Sequence, residues 1–167
     1  MAETTKESKK KFSKGIITVQ ANDFIQKASY KNFDTVDIKI FKTILGKINH
    51  NDTLFKDFYT IDYDDLDEVN IDKKNRFAIV TKSLKKLAAY YVQLEQGANT
   101  IEVGLIQNKF KYERNSSKIV VSVHEDLKPF LLDLSVKYTK YAIANLAELK
   151  NVYSIKLFEL LKSFQSL

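Results

Sequence analysis

The sequence predicts an α+β fold, a winged helix-turn-helix with its helices packed on a small antiparallel sheet. Three observations predict it. Residues 72–91, DKKNRFAIVTKSLKKLAAYY, place Phe77, Val80, Leu84, Leu87, Ala88 and Tyr91 on one helical stripe. Lys82, Lys85 and Lys86 fall on the opposite side, with Asn75 and Ile79 beside them. A short acidic helix over 63–69 precedes this segment across a turn at Asn70 and Ile71, and two strand segments follow around Gly97-Ala98-Asn99. Helix, tight turn, basic helix and hairpin, in that order, make the winged arrangement. Asp72 is the expected N-cap, because its carboxylate can accept the orphan amides of the first turn.

Composition narrows the function classes. The chain has 167 residues, enough for one ordinary core, and 44% of them are apolar. It has no cysteine, so a disulfide framework and a thiolate metal site are both excluded. Histidine occurs only as His50 and His124, in unrelated contexts, so neither a metal site nor a cofactor is expected. No apolar run approaches the roughly 20 residues that cross a bilayer. The first residues also lack the apolar segment of a secretory signal, so a cytoplasmic protein away from membranes is expected. The net charge of +6 suits an anionic partner. Arg76 and Arg114 are the only arginines, and that scarcity favours contact with phosphates over bidentate reading of bases. An AT-rich genome would account for the lysine and asparagine content equally well.

The remaining elements follow in order. Residues 1–15 read as a disordered basic tail and 16–167 as the folded domain. Ile16 to Val19 is an extended entry, and Asn22 or Asp23 opens a brief helix carrying Phe24, Ile25 and Ala28. Asp34-Thr35 caps a stronger helix running to about Asn49, with Val36, Ile40, Ile44 and Ile48 on its core stripe. Residues 55–61 read as a strand. Asp62 and Asp65 resemble a capping box at the start of the acidic helix, whose carboxylates read as a solvated face rather than a metal site.

After the basic helix, residues 91–95 and 100–107 read as strands, with 109–113 extending the second. Arg114 to Ser117 is a turn, and Ile119, Val121 and Val123 form a further alternating strand. The tips at Gly97–Asn99 and Asn115–Ser117 are the candidate wings, the second made basic by Lys109, Lys111, Arg114 and Lys118. Glu125 and Asp126 start a short helix containing Pro129. In the last helix, Ile155, Phe158, Leu161 and Leu157, Leu160, Phe164 form two overlapping stripes, which predicts burial on most sides. The apolar end at Leu167 suggests a chain that stops short of a further domain.

Tyr138-Thr139-Lys140-Tyr141, Asn145-Leu146, Leu149-Lys150 and the run from Tyr153 to Lys162, YSIKLFELLK, carry a resemblance. They are similar to the end of the first winged-helix domain in plasmid replication initiators of the theta-type, iteron-binding family. Asn22 to Ile25, Ala28 to Tyr30, residues 36–49 and Leu84 to Leu87 resemble its earlier helices. The chain departs in having Phe158 where tyrosine is usual, and no tryptophan near Val103 to Leu105. The resemblance implies an initiator with two winged helices. The second reads origin repeats, while the first, the part this chain resembles, contacts phosphates and forms a repressing homodimer. It implies double-stranded DNA, at origin repeats or an operator, as partner, with host replication proteins as further partners.

The expected function is therefore plasmid replication initiation through a DNA-binding domain. Lys73, Lys74, Asn75, Arg76, Lys82, Lys85, Lys86, Lys111 and Arg114 are the candidate DNA contacts. The six cations between Lys73 and Lys86 have no acid among them, and such a face repels itself unless an anion lies nearby. The alternative is a dimerisation module without DNA binding of its own, using Ile79 and an open strand edge. No glycine-rich phosphate loop, cysteine nucleophile or acid–histidine spacing is visible, so no catalytic residues are expected.

Overall fold

The chain enters as β1 (Ile17–Ala21), α1 (Asn22–Lys27) and the two-residue β2 (Ala28–Ser29), then turns into α2 (Thr35–Leu45). The structure, a computed structural model, describes residues 15–112 and 115–165. Most of the predicted tail, residues 1–14, lies outside the described residues. Asp34 caps α2 as the sequence predicts: its Oδ1 accepts the Asp37 amide at 3.0 Å, and the Asp37 carboxylate accepts the Asp34 amide at 3.0 Å. The helix ends at Leu45 with Gly46 as C-cap, a turn earlier than expected. Every residue from Asp37 to Leu45 is buried, so the other elements wrap around this helix.

Next come β3 (Tyr59–Asp62), a 3-10 helix (Tyr63–Val69), α3 (Arg76–Ala89), β4 (Tyr91–Gln96), β5 (Asn99–Gly104), β6 (Ile106–Tyr112) and β7 (Lys118–Val123). A 3-10 turn at Glu125–Leu127 then leads into α4 (Lys128–Leu131). β8 (Tyr138–Ala142), a 3-10 turn at Ile143–Leu146 and α5 (Val152–Gln165) complete the described chain. The strand predicted over 55–61 is shorter and later, at Tyr59–Asp62, because only there does the alternation find a partner in β7.

The described strands form three small antiparallel sheets, β1-β8, β2-β4-β5 and β3-β7-β6. This corrects the predicted hairpin after the basic helix. The segment 100–107 is not one strand: it breaks at buried Leu105 and passes from one sheet to another. The His124 amide donates to the Leu105 carbonyl at 3.0 Å, and the Gly104 amide donates to Asp126 Oδ2 at 3.0 Å. The His124 ring lies so close over residue 104 that a Cβ there would meet its Cδ2 at 2.5 Å. Glycine is required by that approach. The winged-helix sheet is therefore β3-β7-β6, flanking the 3-10 helix and α3, and its wing is the β6-β7 pair. The β4-β5 hairpin pairs instead with β2.

The last helix corrects a second expectation. Its buried face is Ile155, Glu159 and Ser163, while Tyr153 is 77% exposed, Phe164 59%, and Leu157 and Leu161 also lie outside. Polar chemistry decides this orientation. Glu159 Oε2 lies 3.0 Å from the buried Lys42 ammonium and accepts from Tyr141 Oη at 2.7 Å. Lys42 also donates to Gln20 Oε1 at 2.6 Å and to Tyr30 Oη at 2.9 Å. Burial pulls the Lys42 ammonium below its ordinary value, opposed by the Glu159 charge. Turning the oily side of α5 inward would strand that charge without a partner. Among the described residues no helix is long and apolar enough to cross a membrane.

Candidate nucleic-acid interface

Arg76 sets the geometry of the turn before α3. Its guanidinium donates to the Tyr63 carbonyl at 2.7 Å, to the Asp72 carbonyl at 3.3 Å and to the Ile71 carbonyl, and it lies 2.9 Å from Asp67 Oδ1. Three orphan carbonyls and one carboxylate thus converge on a single planar fork, a task suited to arginine. Asn70 and Asn75 take left-handed conformations at φ 58° and 59°, which asparagine tolerates, and so reverse the chain on either side. Asp72 is not the N-cap: its Oδ1 accepts the Lys74 amide at 2.9 Å inside the turn, and α3 begins at Arg76 after Asn75.

At about 100° per residue, the rest of α3 divides into four faces. Val80, Leu84 and Leu87 are fully buried. One flank meets α2: Ser83 Oγ donates to Asp37 Oδ1 at 2.6 Å, and Lys86 Nζ lies 2.5 Å from Asp37 Oδ2 and 3.5 Å from Asp34 Oδ2. The bond to Asp37 raises the Lys86 ammonium above its ordinary value. The other flank meets the wing sheet, where the Phe77 and Tyr112 rings contact edge to face at 5.2 Å and Tyr112 stacks on Phe110 at 5.9 Å. This aromatic stack fixes the wing against the start of the helix. The outward face is Ala78, Lys82, Lys85 and Ala89, all exposed.

The predicted contacts therefore separate. Lys74, Asn75, Lys82 and Lys85 face outward. Lys73 is exposed with a long pair to Asp67 at 3.9 Å. Arg76, 6% exposed, is a structural clamp and not free for phosphate. Lys86 is likewise committed to α2, and Ile79 is half-buried against the core rather than displayed. Tyr91 leaves the helical stripe to begin β4 and is exposed. Lys111 stands exposed on β6 opposite Val120, its ammonium 5.8 Å from the Phe58 ring centre. Arg114 lies outside the described residues.

The acids of the 3-10 helix hold the turn. Asp65 accepts the Asp62 amide at 2.9 Å and pairs with Lys47 at 2.9 Å, and Glu68 accepts the Ile16 amide at 3.1 Å. Ala78 and Ala89 were missed as part of the outward face. A wheel centred on Lys82 rather than on the buried stripe would have found them, and their small side chains let a backbone come close to the helix.

The Pi initiator protein, solved in complex with iteron DNA, is similar with a TM-score of 0.72 at 13% identity over 93% of this chain. That likeness shows the fold, and the chain spans 66% of that protein's length. The WH1 domain of MSBI1.176, a replication protein isolated from a multiple sclerosis patient, aligns over 68% of this chain and 82% of its own, at 14% identity and a TM-score of 0.37. No curated protein matches the chain by sequence. The profile of one family, described as Initiator Replication protein, WH1, matches residues 17–162. Spanning nearly the whole described fold, that match makes the chain a member of the Initiator Replication protein WH1 family.

Proposed function

We propose that this domain holds double-stranded DNA by its phosphates during plasmid replication initiation, at origin repeats or an operator. The observation that carries the reading is the outward stripe of α3. Two ammonium groups unpaired among the described residues, Lys82 and Lys85, stand between Ala78 and Ala89 and beside the basic wing strand bearing Lys109 and Lys111. Lysine meets phosphate as a point charge, and counterion release supplies affinity without regard to sequence. The Pi initiator, solved with iteron DNA, supports the reading. Base reading then falls to a second winged helix of the initiator, and host replication proteins are later partners. The domain acts in the cytoplasm and catalyses nothing itself.

Salt-dependent binding of an arbitrary duplex tests this. Log K should fall linearly with log salt, and Lys82→Ala with Lys85→Ala should flatten the slope by about 0.9 for each phosphate left without its lysine. An unchanged slope removes α3 from the interface.

The same domain is proposed to form a homodimer. β5 is the outer strand of β2-β4-β5 and pairs only with β4 among the described residues, so one backbone edge is open. Sedimentation with and without duplex separates the readings. A dimer indifferent to DNA at low salt favours an interaction module alone.

A further inference from the structure

The geometry points to a second duplex-phosphate site, in the groove between the loop leading into β8 and the end of α5. It rests on the DNA reading above but uses a different face. The groove measures about 540 Å³ and is lined by Lys137, Lys140 and Lys162, with Ser135 and Gln165 as neutral donors and no acid in its lining among the described residues. Lys42, Lys47 and Lys86 each have a carboxylate partner, Glu159, Asp65 and Asp37. The three groove lysines make no such pair among the described residues. Three lysines sharing one groove without a paired anion repel one another, and a bound polyanion relieves that repulsion.

The wall is held in place. The Asn22 amide donates to the Lys137 carbonyl at 2.8 Å, the Asp133 amide to the Asp52 carbonyl at 2.9 Å, and the Leu134 amide to the His50 carbonyl at 3.0 Å. Thr139 Oγ1 donates to Asn22 Oδ1 at 2.5 Å. Lys137 sits at φ 54°, a left-handed conformation that a long side chain does not favour, so these contacts impose it. They set a lysine at the rim that extended backbone would have turned elsewhere.

The site lies on another side of α2 from α3. On α2, Asp37 faces α3 and Lys42 faces α5, and five residues along a helix turn about 140°. The two basic surfaces therefore engage different stretches of backbone. Flexible ammonium groups on an open groove, with no arginine fork, suit the diester phosphates of a duplex better than a lone bidentate anion.

Salt slopes on the whole chain test it. Lys137→Ala with Lys140→Ala should flatten log K against log salt by up to about 1.8, and Lys137→Arg with Lys140→Arg should restore the slope. The α3 pair, Lys82→Ala with Lys85→Ala, is measured beside it, with circular dichroism melts confirming that each variant folds. A drop in both series supports two sites. A drop in the α3 series alone overturns the groove and leaves the proposed function standing. A drop in the groove series alone keeps the groove and removes α3. Lysines that merely complement the end of α5 would lower the melting temperature and leave the slope unchanged, which also overturns the proposal. So would a groove series that weakens binding of an acidic peptide but not of duplex.

Discussion

The Lys86 ammonium lies 2.5 Å from Asp37 Oδ2, across the contact between α3 and α2. Asp37 is almost wholly enclosed and its other oxygen accepts from Ser83, so this lysine neutralises a buried carboxylate. The unmixed charge of the 73–86 segment thus has part of its explanation inside the fold. Lys86→Ala should cost about 2 kcal/mol in urea unfolding by stripping a charge-assisted bond from Asp37. Lys82→Ala and Lys85→Ala should each stay within about 0.5 kcal/mol of the parent.

Arg76 makes the same distinction at the other end of the helix. Arg76→Lys offers one ammonium where a fork meets the carbonyls of Tyr63, Ile71 and Asp72 and the Asp67 carboxylate. It should lower stability by roughly 2–4 kcal/mol despite keeping the charge. Duplex affinity of the folded variant, measured well below its melting temperature, should barely change.

The Lys42–Glu159 pair ties α5 to α2. Glu159→Leu leaves the Lys42 ammonium buried and uncompensated, a loss of about 3–5 kcal/mol. Adding Lys42→Met should recover much of it, since an apolar pair of similar volume removes the stranded charge. A double-mutant cycle by chemical denaturation reads the coupling.

Lys156 gives a pH signature. Its ammonium donates to the Ala28 carbonyl at 2.6 Å and to the Ile25 carbonyl, and burial holds its pKa down to about 8 against an ordinary 10.5. Between those values the folded chain has released a proton that the unfolded chain still holds, so stability rises with pH across the window. Below pH 8 both states are protonated and this group contributes no slope. Urea midpoints near pH 8 and pH 10.5 should show a larger rise in the parent than in Lys156→Met, in which the buried Lys42 still contributes.

Local chemistry was legible in the sequence, and distant pairing was not. The cap at Asp34, the box of Asp62 and Asp65 opening the acidic 3-10 helix, the turn at Asn70 and the alternation of Ile119, Val121 and Val123 each depend on neighbours a few positions away, and all appear. Which hairpin joins which sheet depends on partners such as Tyr59 and Val121, and β5 and β7 alternate too similarly to tell apart. The inward turn of Arg76 and Lys86 was hidden for the same reason. Lys86 finds Asp34 from 52 positions away, and a run of cations shows nothing of a carboxylate on another helix. The polar seam of α5 was overlooked because a count of oily residues ranks Glu159 as surface, whereas the fold pairs it with Lys42.

Duplex DNA lying along the outward stripe of α3, beside the basic wing, is the centre of the proposed mechanism. An amide chemical-shift titration of the chain with a short duplex at low salt tests it most directly. Shifts should concentrate at Lys74, Ala78, Lys82, Lys85 and Ala89 and along Lys109 and Lys111, fading as salt is raised. Shifts that spare these residues while saturating elsewhere, or no shifts at all, would contradict it.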